Sequence, residues 1–289
     1  MKVEQAEVMG FCMGVRRAVE TAEATVAAVH DRRVYTYGPL IHNPPVTAHL
    51  ETQGVAVLDP ENPLPPEAGV VILRAHGVAP SVRHNLTACG WQIVDATCPR
   101  VLGSQKIAEA ASQRGEMVIV VGDRNHGEVR AIAGCASSVA VVQDQSDLDT
   151  LTPAPVCTVI AQTTIKKEEY EQIVAQLEQR FPDCEFKTHK TICPATRERQ
   201  ESLLALLEKC EAVIVIGGKN SANTVRLADT ARRVGKPVWQ IESVEDLVPE
   251  IGNYETVGVT AGASTPQNII DDVIRALEKM KNRKTPGNA

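Results

Sequence analysis

The chain has 289 residues, 43% of them apolar but only 3% aromatic, with a net charge of −6. Such a chain can build proper cores from Val, Ile, Leu and Ala. It carries no dense Lys/Arg block and no apolar run of spanning length, which argues against nucleic acid or a membrane as its partner.

In chain order, residues 2–9 read as a strand running toward Cys12, and 14–28 as a helix. The N-terminus lacks the apolar stretch of a signal peptide, so the expected location is cytoplasmic, or a plastid or similar compartment with the targeting segment removed. A strand at 34–38 ends in Gly38, and His42 lies four positions on. After a further helix comes a short strand, 55–58. A strand-and-loop at 70–76 ends in His76, a helix follows at 80–89, and a strand at 91–97 runs into Cys98. From there the series repeats. A helix at 101–111 leads to a strand ending in Gly122, then His126, a short strand at 139–142, a strand-and-loop at 156–164 with Thr163, a helix at 166–180 and a strand running into Cys193. The third round has a helix at 195–210, a strand ending in Gly217, then Ser221, a short strand at 238–241, a strand-and-loop ending in Ser264 and a helix at 266–281. Residues 282–289 read as a disordered tail.

Self-similarity at this scale marks three copies of one unit. The expected units are 13–97, 98–192 and 193–281. The third lacks a last strand, and the N-terminal segment 1–12 is expected to supply it. Strands alternating with helices imply parallel sheets covered on both faces. Ligands of such sheets bind beyond the carboxyl ends of the strands, where all the polar loop residues named above fall. Two Pro-rich stretches, 60–66 and 152–155, read as surface connections.

Cys12, Cys98 and Cys193 each stand where a strand gives way to a helix, 86 and then 95 residues apart. Three thiols on equivalent loops can form a tripod for one metal centre. Structural zinc usually shows paired C-x-x-C knuckles, which are absent here. An iron–sulfur cluster accepts any spacing that brings the thiolates together, and three ligands would leave one iron open. Pro99 and Pro194 suit the first helical turn after their cysteines. The fold class expected is therefore α/β: three similar small α/β units with parallel sheets, arranged in pseudo-threefold fashion around a central iron–sulfur cluster. The other five cysteines (Cys89, Cys135, Cys157, Cys184 and Cys210) follow no repeated pattern and read as small buried hydrophobes.

His42, His76, His126, Thr163, Ser221, Asn223 and Ser264 are expected to face the same centre. Small donors beside helix N-termini suit an anion such as phosphate. Asn43, before Pro44-Pro45, reads as structural. Glu128, two residues after His126, is a carboxylate placed to move a proton near that centre. From the residues alone three readings stand: an iron–sulfur reductase, a zinc-dependent hydrolase of a phosphorylated substrate with Glu128 as general base, and a non-enzymatic iron–sulfur sensor.

Eight motifs in order then resemble one family. They are Gly-Phe-Cys-Met-Gly-Val at 10–15, Gly-Pro-Leu-Ile-His-Asn at 38–43, Ala-His-Gly-Val at 75–78, Asp-Ala-Thr-Cys-Pro at 95–99, His-Gly-Glu-Val at 126–129, Gln-Thr-Thr at 162–164, Lys-Asn-Ser-Ala-Asn at 219–223 and Val-Thr-Ala-Gly-Ala-Ser at 259–264. The family is that of 4-hydroxy-3-methylbut-2-enyl diphosphate reductase, the last step of the methylerythritol phosphate route of isoprenoid biosynthesis. The resemblance implies a 4Fe–4S cluster with three cysteine ligands, Cys12, Cys98 and Cys193, and one open iron. It implies diphosphate binding by His42, His76, His126, Ser221, Asn223 and Ser264, with Thr163 near the substrate alcohol and Glu128 delivering protons. The implied reaction is a reductive dehydroxylation of the small allylic diphosphate substrate to isopentenyl and dimethylallyl diphosphates, fed by a ferredoxin- or flavodoxin-type electron donor. Two positions depart from the pattern. Ala222 stands where a serine is common, so it can bind only through its backbone. Gly127 stands where proline is common.

Overall fold

A computed structural model of the chain describes residues 1–282. The first four-stranded sheet has β2 (Val34–Tyr37), β3 (Val55–Leu58), β4 (Val70–Leu73) and β5 (Gln92–Asp95), in the order β3-β2-β4-β5. The second has β6 (Met117–Val121), β7 (Val139–Val142), β8 (Val156–Ala161) and β9 (Glu185–His189), in the order β7-β6-β8-β9. The third has β10 (Ala212–Ile216), β11 (Val238–Ile241), β12 (Thr256–Ala261) and β1 (Lys2–Gln5), in the order β11-β10-β12-β1. All pairings are parallel and the orders are the same three times over. The N-terminal strand is the fourth strand of the third sheet, with Lys2 opposite Thr256 and Gln5 opposite Val259. The fold is α/β, as expected.

The helices fall between the strands. They are α1 (Met13–Ala28), α2 (Pro44–Thr52), α3 (Pro80–Ala88), α4 (Pro99–Gln113), α5 (Gly127–Ala133), α6 (Lys167–Arg180), α7 (Pro194–Leu207), α8 (Ala222–Arg233) and α9 (Gln267–Asn282). Most lie within two residues of their expected ranges. The strands stop sooner than expected: β1 ends at Gln5, not at residue 9, and β5 at Asp95, because the chain there already turns toward the next helix. Asn282 closes α9, and the rest of the expected tail, 283–289, lies outside the described residues. The two Pro-rich stretches carry no strand or α-helix.

Parallel strands buried on both faces read as continuous apolar runs, and β10 (Ala-Val-Ile-Val-Ile) is buried throughout. Alternation then splits each strand between two cores. In the second sheet Ile119, Val121, Val159 and Ala161 meet Tyr170, Ile173 and Leu177 of α6. Their neighbours Val118, Val120 and Ile160 meet Ala108 and Ala111 of α4 and Val129 and Ile132 of α5. In the third sheet the two faces pack Val257 and Val259 against α9, and Val213 and Val215 against α7 and α8. Truncating a side chain as fully enclosed as Leu177 to alanine would cost about 2–5 kcal/mol.

The chain divides into two compact units. One comprises Met1–Arg16, Ile41–His49 and everything from Pro194 on; the other comprises Arg17–Leu40 and Leu50–Cys193. The first unit therefore holds the third sheet, and the second unit holds the first and second sheets. No helix among the described residues is long and apolar enough to cross a membrane.

Candidate active site

Each of the three cysteines is held in the same way. The Cys98 N–H donates to the Ala75 carbonyl (3.0 Å), the Cys193 N–H to Thr163 (2.9 Å) and the Cys12 N–H to Ala263 (3.0 Å). Each acceptor lies two residues beyond the end of its strand, β4, β8 or β12. This repeated bond corrects one equivalence read from spacing. Thr163 corresponds to Ala75 and Ala263, and it is Thr164 that corresponds to His76 and Ser264. Counting from the cysteines misses this because the connections differ in length.

The thiols differ in their surroundings. Cys12, Cys98 and Cys193 are half-buried. The Val15 N–H donates to the Cys12 sulfur at 3.5 Å. Cys157 and Cys210 are buried, and burial pushes both thiols up from their ordinary pKa. Burial pushes Cys135 up to about 11. Of the five cysteines expected to be buried, Cys89 is exposed at the end of α3, and Cys135 and Cys184 are half-buried like the three candidates, so burial alone does not set the three apart; their repeated turn does.

In the second unit Glu128 is 2% exposed. It lies in the first turn of α5, just beyond the carboxyl end of β6. Its Oε1 accepts the Thr163 N–H at 2.6 Å, and its Oε2 bonds the Thr163 hydroxyl at 2.7 Å. Both carboxylate oxygens are thus fixed by one neutral residue at the end of the adjacent strand. His126 caps the same helix. Its Nδ1 accepts the Glu128 N–H at 3.2 Å, which leaves Nε2 to carry the proton of the neutral ring. The His126 and His76 rings meet edge to face, with centroids 5.2 Å apart. Two imidazoles and a buried acid are therefore gathered at the carboxyl ends of β4, β6 and β8, where parallel sheets place their ligands.

In the first unit Ser264 and Ser221 bring their hydroxyls to 3.5 Å of each other, and Ser264 also donates to the His42 carbonyl at 3.1 Å. Ser221 caps α8, and Ala222 is that helix's first residue. Asn223 is 5% exposed, and its side-chain Nδ2 has no partner among the described residues. A buried donor without an acceptor is costly unless a ligand completes it. At the N-terminus of a twelve-residue helix, that ligand is best an anion. Gly262 keeps the loop tight, since a Cβ there would stand 2.0 Å from the Thr224 hydroxyl. Asn43 is buried, and its side chain accepts the Val46 N–H at the start of α2, a structural role as expected.

Two supporting residues escape a reading of the loops alone. Arg17, on α1, donates to the carbonyls of Thr97 (2.8 Å) and Asp95 (3.3 Å), just ahead of Cys98. Arg199, on α7 and 3% exposed, donates to the Gly10 carbonyl at 2.6 Å, just ahead of Cys12. Their common signal is an arginine five or six residues after a cysteine, in two of the three repeats.

A parallel α/β protein with donor-rich loops and a buried acid at the carboxyl ends of its strands has the form of a small-molecule enzyme. The sequence model of the LytB protein family matches residues 3–278, and the chain belongs to that family. A 4-hydroxy-3-methylbut-2-enyl diphosphate reductase of Treponema denticola is 43% identical to it, over 96% of this chain and 99% of the relative. One of Alkaliphilus oremlandii is 37% identical, over 97% of this chain and 100% of the relative. Among solved structures, the E-1-hydroxy-2-methyl-but-2-enyl-4-diphosphate reductase of Plasmodium falciparum superposes with a TM-score of 0.88 at 28% identity, covering 96% of this chain and 87% of that one. A further reductase structure, described as the terminal enzyme of the non-mevalonate pathway, matches at a TM-score of 0.70 and 35% identity, covering 96% of this chain and all of that one. The family expected from the eight motifs is the family these comparisons return.

Proposed function

We propose that the chain performs the reaction its relatives are named for, the reduction of 4-hydroxy-3-methylbut-2-enyl diphosphate, and that it closes the non-mevalonate route to isoprenoids. The observation that carries the catalytic reading is the buried Glu128 carboxyl, held through both oxygens by Thr163. Overall, two electrons and two protons cleave the allylic C–O bond. The hydroxyl leaves as water, and the remaining hydrocarbon diphosphate is isopentenyl or dimethylallyl diphosphate. Glu128 delivers the proton to the departing oxygen, and Thr163 holds the carboxyl in place for it. His42, His76, His126, Ser221, Asn223 and Ser264 bind the diphosphate through ring N–H, hydroxyl and amide donors. Ala222 adds the dipole of the α8 N-terminus. The unpartnered Asn223 amide supports this assignment.

Cys12, Cys98 and Cys193 are proposed to hold a 4Fe–4S cluster with one open iron. The donor set suits it. These three thiols are partly accessible at equivalent turns, whereas burial disfavours the thiolates of Cys135, Cys157 and Cys210. When bound, such a cluster supplies electrons singly, together with an electrophilic iron. Those electrons come from a ferredoxin- or flavodoxin-type donor. Eight cysteines with no disulfide among the described residues also suit a reducing compartment, and we place the protein in the cytoplasm.

Anaerobic purification is expected to give a brown protein with about four irons and four sulfides per chain. Cys193→Ser should lose or degrade the cluster, and Cys135→Ser should keep it. Equal iron in both variants, or stoichiometric zinc in place of iron, would overturn the assignment.

A further inference from the structure

The side chain that joins the two histidine turns of the second unit is Arg74. It follows β4 and stands two residues before His76. The Gly77 N–H donates to the Arg74 carbonyl at 3.0 Å, closing the turn that bears His76. The Arg74 Nε donates back to the Gly77 carbonyl in a long bond of 3.4 Å. Its guanidinium then lies along Gly127, the residue between His126 and Glu128. A Cβ at Gly127 would stand 2.8 Å from one terminal nitrogen and 2.9 Å from the central carbon. Gly127 is therefore the seat of this guanidinium. On the other side lies Gly38, whose Cβ would come within 3.1 Å of Nη1.

The charge of Arg74 has no acidic partner among the described residues. Its ionisable neighbours are the Tyr37 hydroxyl and a second cation, Arg130. Burial, with Arg130 adding to it, draws the guanidinium below its ordinary pKa, while Tyr37 works the other way. A half-buried cation without an anion is unfavourable until a ligand brings one.

We propose that Arg74 is a positioning residue of the substrate site: it braces the His76 turn against the His126–Glu128 turn, and its uncompensated charge is balanced when the diphosphate binds. This rests on the diphosphate reading of the site.

The test uses the cluster-loaded protein, with kcat and KM for the allylic diphosphate and the dissociation constant of inorganic pyrophosphate measured by calorimetry. Arg74→Gln is expected to raise both KM and the pyrophosphate constant about tenfold, the effect of losing one charge-assisted contact. Cluster absorbance and the thermal midpoint should stay as in the wild type. Arg74→Lys should recover most of the loss, because it keeps the charge. Gly127→Ala, which places a methyl group in the guanidinium's seat, should weaken pyrophosphate binding in the same direction by a smaller factor. Unchanged constants in Arg74→Gln would overturn the proposal. So would equal losses in the Gln and Lys variants with a lowered thermal midpoint, since that pattern is fold support alone. If Arg74→Gln does not fold, Gly127→Ala decides: an unchanged pyrophosphate constant overturns the proposal. A wild type that binds pyrophosphate yet never turns over the allylic diphosphate would sink the functional reading and leave the role of Arg74 standing.

Discussion

The second sheet carries two buried glutamates at opposite ends, and the bonds seen to hold them differ. Glu116 precedes β6 at the amino end of the strands and is 5% exposed. Arg114 grips it with two bonds of 2.7 and 2.8 Å, Lys187 adds one of 2.7 Å, and the Thr158 hydroxyl one of 2.6 Å. Hydrogen bonds from Arg114, then Lys187 and Thr158, hold its carboxyl far below the usual range. Glu128 sits beyond the carboxyl end and is held by the N–H and hydroxyl of Thr163. A carboxylate clamped by cations is a permanent anion that ties three strands together. Glu128, bonded by Thr163, is the acid we propose for proton delivery.

The strongest test of that contrast is Glu128→Gln. It keeps the shape and removes the proton, so turnover should fall by a factor of about 10²–10⁴ while iron content and thermal midpoint stay put. If Glu128 were a structural acid like Glu116, the midpoint would fall instead. Next, Thr163→Val removes the hydroxyl but leaves the backbone N–H in place. One of the two bonds holding Glu128 is lost, and kcat is expected to drop about tenfold with little change in KM. At the other end, Glu116→Gln should leave kcat unchanged and lower stability by about 2 kcal/mol; the half-exposed Arg114 and Lys187 can be resolvated, which limits the loss. The smallest effect is on pH dependence. Because folding depresses the Glu116 pKa, its stabilisation is full above the unfolded value of about 4.3 and declines as pH falls toward the folded one. Wild-type unfolding free energy should therefore slope downward in acid, and Glu116→Gln should flatten that slope. An unchanged slope would place the carboxylate outside the ion cluster.

Much of this arrangement was legible in the chain itself. Val-Ile-Val-Val before Gly122 and Val-Ile-Val-Ile before Gly217 announce buried parallel strands, because only strands covered on both faces carry unbroken apolar runs. Cys98 and Cys193, each followed by proline, announce a strand-to-helix turn. The parts that stayed hidden depend on long side chains crossing between elements. Nothing local to Glu116 announces Lys187, 71 residues later, which comes to lie beside it. Thr163 looked equivalent to His76 and Ser264 until the bond from the Cys193 N–H showed it one residue out of step.

The sequence by itself determined the threefold repetition, the α/β class, the shared strand-to-helix setting of Cys12, Cys98 and Cys193, and the family. These rest on periodicity and on local turn chemistry, which short stretches of chain encode. Only the tertiary structure decided which carboxylate is locked by cations and which is held by a threonine, and that Gly127 is the seat of Arg74. Those outcomes depend on burial and on contacts across the strand order, and in a parallel sheet neighbouring strands are set far apart along the chain by their crossover helices.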